Sequence, residues 1–186
     1  GSLMLVSSAC FAQLPTASEV ASKMYPGWNL GNTMEGNNNG KNFSNDVGLA
    51  GETSWQGTKT TKAIIDFVKS KGFKSVRIPC NWVCGHISDA STCTIDATWM
   101  ARVKEIVDYC ISDGLYVVLN DHYDGGWVEK SFDDISEAAI SKNSATMKTI
   151  WTQIANEFKN YDEHLLFAGL NEPDVSNQKQ TDALLK

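Results

Sequence analysis

The sequence predicts an α/β protein with a parallel sheet, built from about four strand–helix units. Three observations carry this. Short apolar runs alternate with amphipathic stretches along the whole chain. The run at 115–120 (LYVVLN) shows no polar/apolar alternation, as a strand covered on both faces requires. The polar connections after the strand runs are long and those before them are tight, which puts any chemistry at the strand C-termini.

Taken in order, residues 25–30 (YPGWNL) form the first strand and end in polar Gly31-Asn32. A Gly/Asn-rich stretch through about 57 is a long loop. Residues 58–71 carry Ala63, Ile64, Phe67 and Val68 at helical spacing, and Gly72 is placed to stop that helix. A second strand covers 74–79 (KSVRIP), followed by a polar loop over 80–97. A helix over 98–112, ended near Gly114, leads into the strand at 115–120. After a loop to about 137, residues 140–161 place Met147, Ile150, Trp151, Ile154 and Phe158 on one helical face. The fourth strand is 165–170 (LLFAGL), and a polar stretch with a helical start runs to Lys186.

The composition, 42% hydrophobic and 20% charged over 186 residues, is that of a globular domain. Net charge is −6 without a Lys/Arg run, which argues against nucleic acid or an anionic membrane as partner. Gly1-Ser2 reads as an expression scar. Residues 3–12 (LMLVSSACFA) read as the tail of a secretory signal cleaved after Ala12, or as a lipoprotein signal with Cys10 lipidated. The chain is thus divided into 1–12 and a domain over 13–186, expected to be secreted or in the cell envelope. Of five cysteines, Cys84 and Cys93 bracket GHISDAST, which a loop disulfide would close in an exported protein, with buried thiols as the alternative. Cys80 and Cys110 lie in apolar contexts and read as inert core residues.

Each strand delivers polar side chains at its C-terminal end: Asn29 and Asn32, then Arg77, then Asn120, Asp121 and His122, then Asn171 and Glu172. A carboxyl behind an apolar strand, raised by partial burial, can hold a proton near neutrality for general acid/base work. A neighbouring Asn amide can hydrogen-bond a sugar hydroxyl, and an Arg can hold a second carboxylate ionised as nucleophile. His86, His122 and His164 lack metal-ligand spacing, and no phosphate loop or dinucleotide fingerprint is present, so no metal or cofactor is expected.

Four segments resemble, in order and spacing, the strand motifs of glycoside hydrolase family 5. They are Gly27-Trp28-Asn29-Leu30-Gly31-Asn32, Val76-Arg77-Ile78-Pro79, Leu119-Asn120-Asp121-His122 and Gly169-Leu170-Asn171-Glu172-Pro173. The resemblance spans about residues 20–175 and implies the N-terminal half of a (β/α)8 barrel, from a family of endoglucanases, xyloglucanases, lichenases and mannanases. Asp-Gly-Gly-Trp at 124–127 resembles the branch rich in bacterial endoglucanases and xyloglucanases. Carried over by position, the resemblance implies Glu172 as acid/base and Asn171 as partner of a sugar 2-hydroxyl. Arg77 and His122 would shape the site, His86 would lie near the non-reducing subsites, and Asn32, Tyr123 and Trp127 would contact substrate. Trp55 and Trp127 are equally open to sugar stacking or packing. Asp121 stands where an apolar residue is common, and Tyr123 where a second His is frequent.

A retaining mechanism needs two carboxyls about 5–5.5 Å apart. The family places its nucleophile on the seventh strand, beyond the four read here. The expectation is therefore endo-acting retaining hydrolysis of β-1,4-glucan with the nucleophile missing from this chain, which alone would be inactive. Its partners would be a β-glucan poly- or oligosaccharide and a second copy or the C-terminal half of the barrel. The alternative is a catalytically silent glycan-binding or assembly fragment.

Overall fold

The computed structural model describes residues 14–131 and 133–184; the signal reading at 3–12, with Cys10 and Ala12, lies outside them. The first element is one the strand-centred reading passes over. Helix α1 (Ala17–Lys23) opens with a capping box in which the Thr16 hydroxyl accepts from Glu19 N–H and the Glu19 carboxylate accepts from Thr16 N–H. A cis Tyr25–Pro26 bond leads into β1 (Gly27–Asn29). Then come α2 (Lys62–Ser70), β2 (Ser75–Ile78), a hairpin of β3 (Ile87–Asp89) and β4 (Thr94–Ile95), and α3 (Ala97–Ser112). The chain continues with β5 (Tyr116–Asn120), the short α4 (Trp127–Lys130), the long α5 (Glu137–Phe158), β6 (Leu165–Ala168) and α6 (Gln178–Leu184).

Strands β1, β2, β5 and β6 form one parallel sheet in that order, so each crossover returns beside its predecessor. This is the arrangement of four successive βα units, the N-terminal half of a (β/α)8 barrel. The core fills the space between sheet and helices. Val76, Ile78, Val117 and Leu119 from the strands meet Ile65, Val103, Ile106, Val107, Ile150 and Ile154 from α2, α3 and α5, all at 2% exposure or less. Cys80 and Cys110 are buried in it, their thiols pushed up by desolvation.

Two local expectations are corrected. The buried stripe of α2 centres on Ile65 and Val68, while Phe67 is 60% exposed, with the Lys71 ammonium 4.8 Å from the centre of its ring. Cys84 and Cys93 are free thiols, not a disulfide. Cys84 is drawn inward, with its N–H on Asp124 and its Sγ donating to the Gly40 carbonyl at 3.2 Å. Cys93 turns the corner of the β3–β4 hairpin at φ 53°. That hairpin lies within the stretch read as loop. A single side chain on α5 clamps it, the Gln153 amide accepting from Ile95 N–H and donating to the Cys93 carbonyl, both at 2.9 Å. No helix among the described residues is long and apolar enough to cross a membrane.

Candidate active site

The four strand ends converge on one guanidinium. Arg77, the third residue of β2, is half-buried and donates through Nη1 to Asn29 Oδ1 of β1 at 3.0 Å. Its Nη2 donates to Asn171 Oδ1 beyond β6 at 2.7 Å and meets His122 Nδ1 beyond β5 at 3.1 Å. Parallel register makes this possible, because Arg77 pairs with Asn29 on one side and Val118 on the other. Side chains at 77, 118, 120 and 122 therefore share a face.

An N–H of Arg77 aimed at His122 Nδ1 requires that nitrogen to accept, so the ring hydrogen sits on Nε2 and points onward. Burial first, and the Arg77 charge second, hold the imidazole below its ordinary pKa, while Glu35 and Glu172 pull the other way. The ring is accordingly a neutral Nε2–H donor at pH 7. Arg77→Gln is expected to raise the His122 pKa, because the guanidinium charge goes and the two acids remain; ring NMR measures it. A pKa that stays put or falls would show that the guanidinium charge is not felt.

Glu172 follows Asn171 in a left-handed backbone conformation, φ 44°, that a non-glycine residue adopts only at a cost of about 1–3 kcal/mol. Its side chain is exposed, so the partial burial expected for it from the sequence is not present among the described residues. Asn171 N–H is held by the Asp121 carbonyl at 2.9 Å, which fixes the segment against β5. Asn32, also left-handed at φ 58°, is exposed on the loop after β1, its N–H on Glu35 Oε1 at 2.6 Å.

The aromatic residues divide. Half-exposed Trp55 leans on Tyr123, ring centroids 6.1 Å apart and tilted 60°, so these two make an aromatic edge beside His122. Trp127 instead packs edge-on against Phe43 and the core. His86, expected near the subsites, is fully buried and stacked flat on Trp99 at 3.7 Å, with no hydrogen bond to either ring nitrogen among the described residues. Burial pushes its pKa down to about 4. It stands apart from the Arg77 network. The one group of potential metal ligands among the described residues, Asp162, Glu163 and His164, precedes β6 and so lies at the opposite end of that strand from Glu172.

Two features escape a reading of single motifs. One is Asp124, fully buried and gripped by the N–H groups of Trp82, Val83 and Cys84; its sequence signal is the Asp-Gly-Gly turn. Gly125 (φ 63°) lies so close to Asn42 that a Cβ there would sit 2.2 Å from Oδ1, so only glycine fits. The other is the buried Arg102–Glu52 pair, which carries no local signal.

Comparison with known proteins agrees with this geometry. Residues 37–185 match the model of the cellulase family, glycosyl hydrolase family 5. The chain is 44% identical to Endoglucanase A of Clostridium longisporum over 87% of its own length and 30% of the relative's. It is 41% identical to Endoglucanase A of Ruminococcus albus over 89% of its length and 42% of the relative's. Among solved structures, a xyloglucan-specific β-1,4-glucanase from a ruminal metagenomic library, in complex with XXLG, superposes with a TM-score of 0.75 at 56% identity, covering 84% of this chain and 40% of that one. A broad-specificity endoglucanase of Ruminococcus champanellensis with bound cellotriose gives 0.81 at 35%, covering 92% and 50%. The chain therefore spans between about a third and a half of these relatives. With four parallel βα units and the matched family model, this chain belongs to glycoside hydrolase family 5.

Proposed function

We propose that this chain supplies the acid/base side of a retaining, endo-acting β-1,4-glucanase site for cellulose, mixed-linkage glucan or xyloglucan. Glu172 is the acid/base, and the nucleophilic carboxylate comes from outside residues 1–186. The observation that carries this reading is the Arg77 guanidinium, which ties Asn29, His122 and Asn171 into one frame beside Glu172. Arg77 occupies Asn171 Oδ1, so the amide NH2 is left to donate to a sugar hydroxyl. The neutral His122 offers Nε2–H to the same cleft. Glu172 protonates the glycosidic oxygen as the bond breaks, then takes a proton from the water that releases the glycosyl group. The relatives' xyloglucan-derived and cellotriose ligands support a β-glucan substrate. Residues 3–12 support export.

The test is reducing-sugar release from soluble β-glucans, xyloglucan and mannan, with Glu172→Gln as control. Release is expected only when a complementary barrel half is present, and the substitution removes it. Release by the 186-residue chain alone, abolished by the substitution, would assign the second carboxylate to another copy. Release that survives Glu172→Gln undiminished overturns the role of that residue.

A second reading, glycan binding without turnover, rests on the aromatic edge that Trp55 and Tyr123 present beside His122. In both readings Trp55 and Tyr123 form a sugar platform. Trp55→Ala is expected to weaken cello- or xylogluco-oligosaccharide binding about two- to twelvefold, the worth of one aromatic contact at ~0.5–1.5 kcal/mol. Calorimetric titration measures it, and unchanged affinity would leave Trp55 a packing residue on Tyr123.

A further inference from the structure

The turn after β5 holds two fully buried acids that the proposed chemistry does not use, Asp121 and Asp124. They are housed in opposite ways. The Asp124 carboxylate accepts from the N–H groups of Trp82, Val83 and Cys84 at 3.2, 2.8 and 2.6 Å. Its own N–H is shared between Asn81 Oδ1 at 2.8 Å and the His122 carbonyl at 2.7 Å. The second of these closes a γ-turn on Tyr123 (φ 61°, ψ −60°), the rare and strained form. Three more left-handed residues follow, Asp124, Gly125 and Gly126. Four such residues in succession need an external anchor, and Asp124 is that anchor.

Asp121 has no such cradle, since among the described residues no N–H or hydroxyl donor reaches either of its carboxyl oxygens. An ionised carboxylate left dry and unpartnered costs several kcal/mol, so the group resolves its position by staying protonated. An acceptor for that proton stands in the same buried turn, the Asp124 carboxylate, whose Oδ1 takes the N–H groups of Trp82, Val83 and Cys84 and whose Oδ2 takes that of Val83. Asp121 also touches the site directly, its carbonyl holding Asn171 N–H at 2.9 Å and its peptide leading into His122.

We propose that Asp121 is a positioning residue: as a neutral acid it donates its proton to the Asp124 carboxylate and so fixes the strained turn that presents His122 and Tyr123 to the cleft.

The surroundings agree. Burial, and then the Asp124 charge, hold Asp121 well above the usual carboxylate range, and burial lifts Asp124 to about 6 against the pull of its backbone donors. The other titratable groups around the pair are Glu35 and three thiols: Cys80, pushed up by burial and then by Asp124, Asp121 and Glu35, and Cys84 and Cys93, pushed up by burial and then by Asp124. None is a cation, and Arg77 is spent on His122 and its two Asn partners. Both folded-state values lie above the unfolded ones, so folding is most favoured below about pH 4, loses part of that as Asp124 ionises through about 6, and loses the rest only where Asp121 gives up its proton above that.

The experiment uses the 186-residue chain, with Asp121→Asn, which keeps a donor and cannot ionise, and Asp121→Leu, which fills the space without one. Carboxyl-carbon NMR is expected to show Asp121 still protonated near neutral pH. Amide exchange of Val83 and Cys84 should stay within about twofold in Asp121→Asn and quicken about tenfold in Asp121→Leu, the worth of one hydrogen bond. The His122 ring nitrogens should keep their neutral Nε2–H signature in the first variant and lose it to averaging in the second. A carboxylate signal for Asp121 near neutrality, or identical behaviour of the two variants, overturns the proposal. If Asp121→Leu does not fold, the carboxyl signal alone decides.

Discussion

Replacing Arg102 with alanine is expected to lower the free energy of unfolding by about 3–5 kcal/mol, because a buried carboxylate then loses its counter-charge. The side chains of Arg102 and Glu52 are 4% and 2% exposed. The guanidinium grips Glu52 through Nε at 2.9 Å and Nη2 at 2.7 Å, while Nη2 also donates to the Thr60 carbonyl at 2.6 Å. After the substitution Glu52 retains the Thr60 N–H at 2.7 Å, one donor for a full charge in a dry site. The effect reaches the cleft, since Glu52 sits in the turn Gly48–Thr53 just before Trp55, and Arg102 is what fastens that turn to α3. Urea unfolding measures the loss. A loss under about 1 kcal/mol would mean that water reaches Glu52 in the variant, whereas replacing both residues by Leu and Met is expected to recover most of the stability.

Glu172→Gln is expected to cost about 10²–10⁴-fold in kcat on polysaccharide in any preparation that hydrolyses it, the range supplied by a positioned general acid/base. The amide keeps the shape of the side chain and can neither give nor take the proton. Leaving-group chemistry sharpens the test. A sugar alkoxide needs protonation as it departs, but a dinitrophenolate does not. The variant should therefore retain the first, glycosyl-transferring step on a dinitrophenyl cellobioside while losing it on glucan. Equal losses on both substrates would assign Glu172 to binding instead.

The sheet was legible because each strand is a short apolar run with a distinct end. Residues 115–120 lack alternation, and the structure buries Val117 and Leu119 on one face of β5 and Tyr116 and Asn120 on the other, with Val118 between them half-buried. The site was legible for a related reason: a parallel sheet collects what its strands carry at one end, so Arg77, His122 and Asn171 could be grouped before any distance was known. What escaped was of two kinds. The β3–β4 hairpin has only three and two residues and is held by Gln153, whose partnership across 58 positions leaves no periodic trace. Asp124 and Arg102 are charged residues in polar-looking segments, and their burial follows from partners 40 and 50 positions away. The fate of His86 turned on the same kind of non-local fact, the flat face of Trp99.

The hydrogen-bond ladder of the sheet does not stop where the strands do. Leu30 N–H reaches the Arg77 carbonyl, His122 N–H the Cys80 carbonyl, and Asn171 N–H the Asp121 carbonyl, at 2.9 Å each. These three rungs index the four strand ends to one another like teeth on a rack. A residue inserted or deleted within β2, β5 or β6 would advance one rack by a tooth and turn its functional side chain to the opposite face of the sheet. Such a change removes the constellation at a stroke instead of loosening it. Length variation in a chain built this way is confined to the loops that leave the strand ends, where the walls of the cleft are made, and the frame they stand on tolerates substitution but not a change of count.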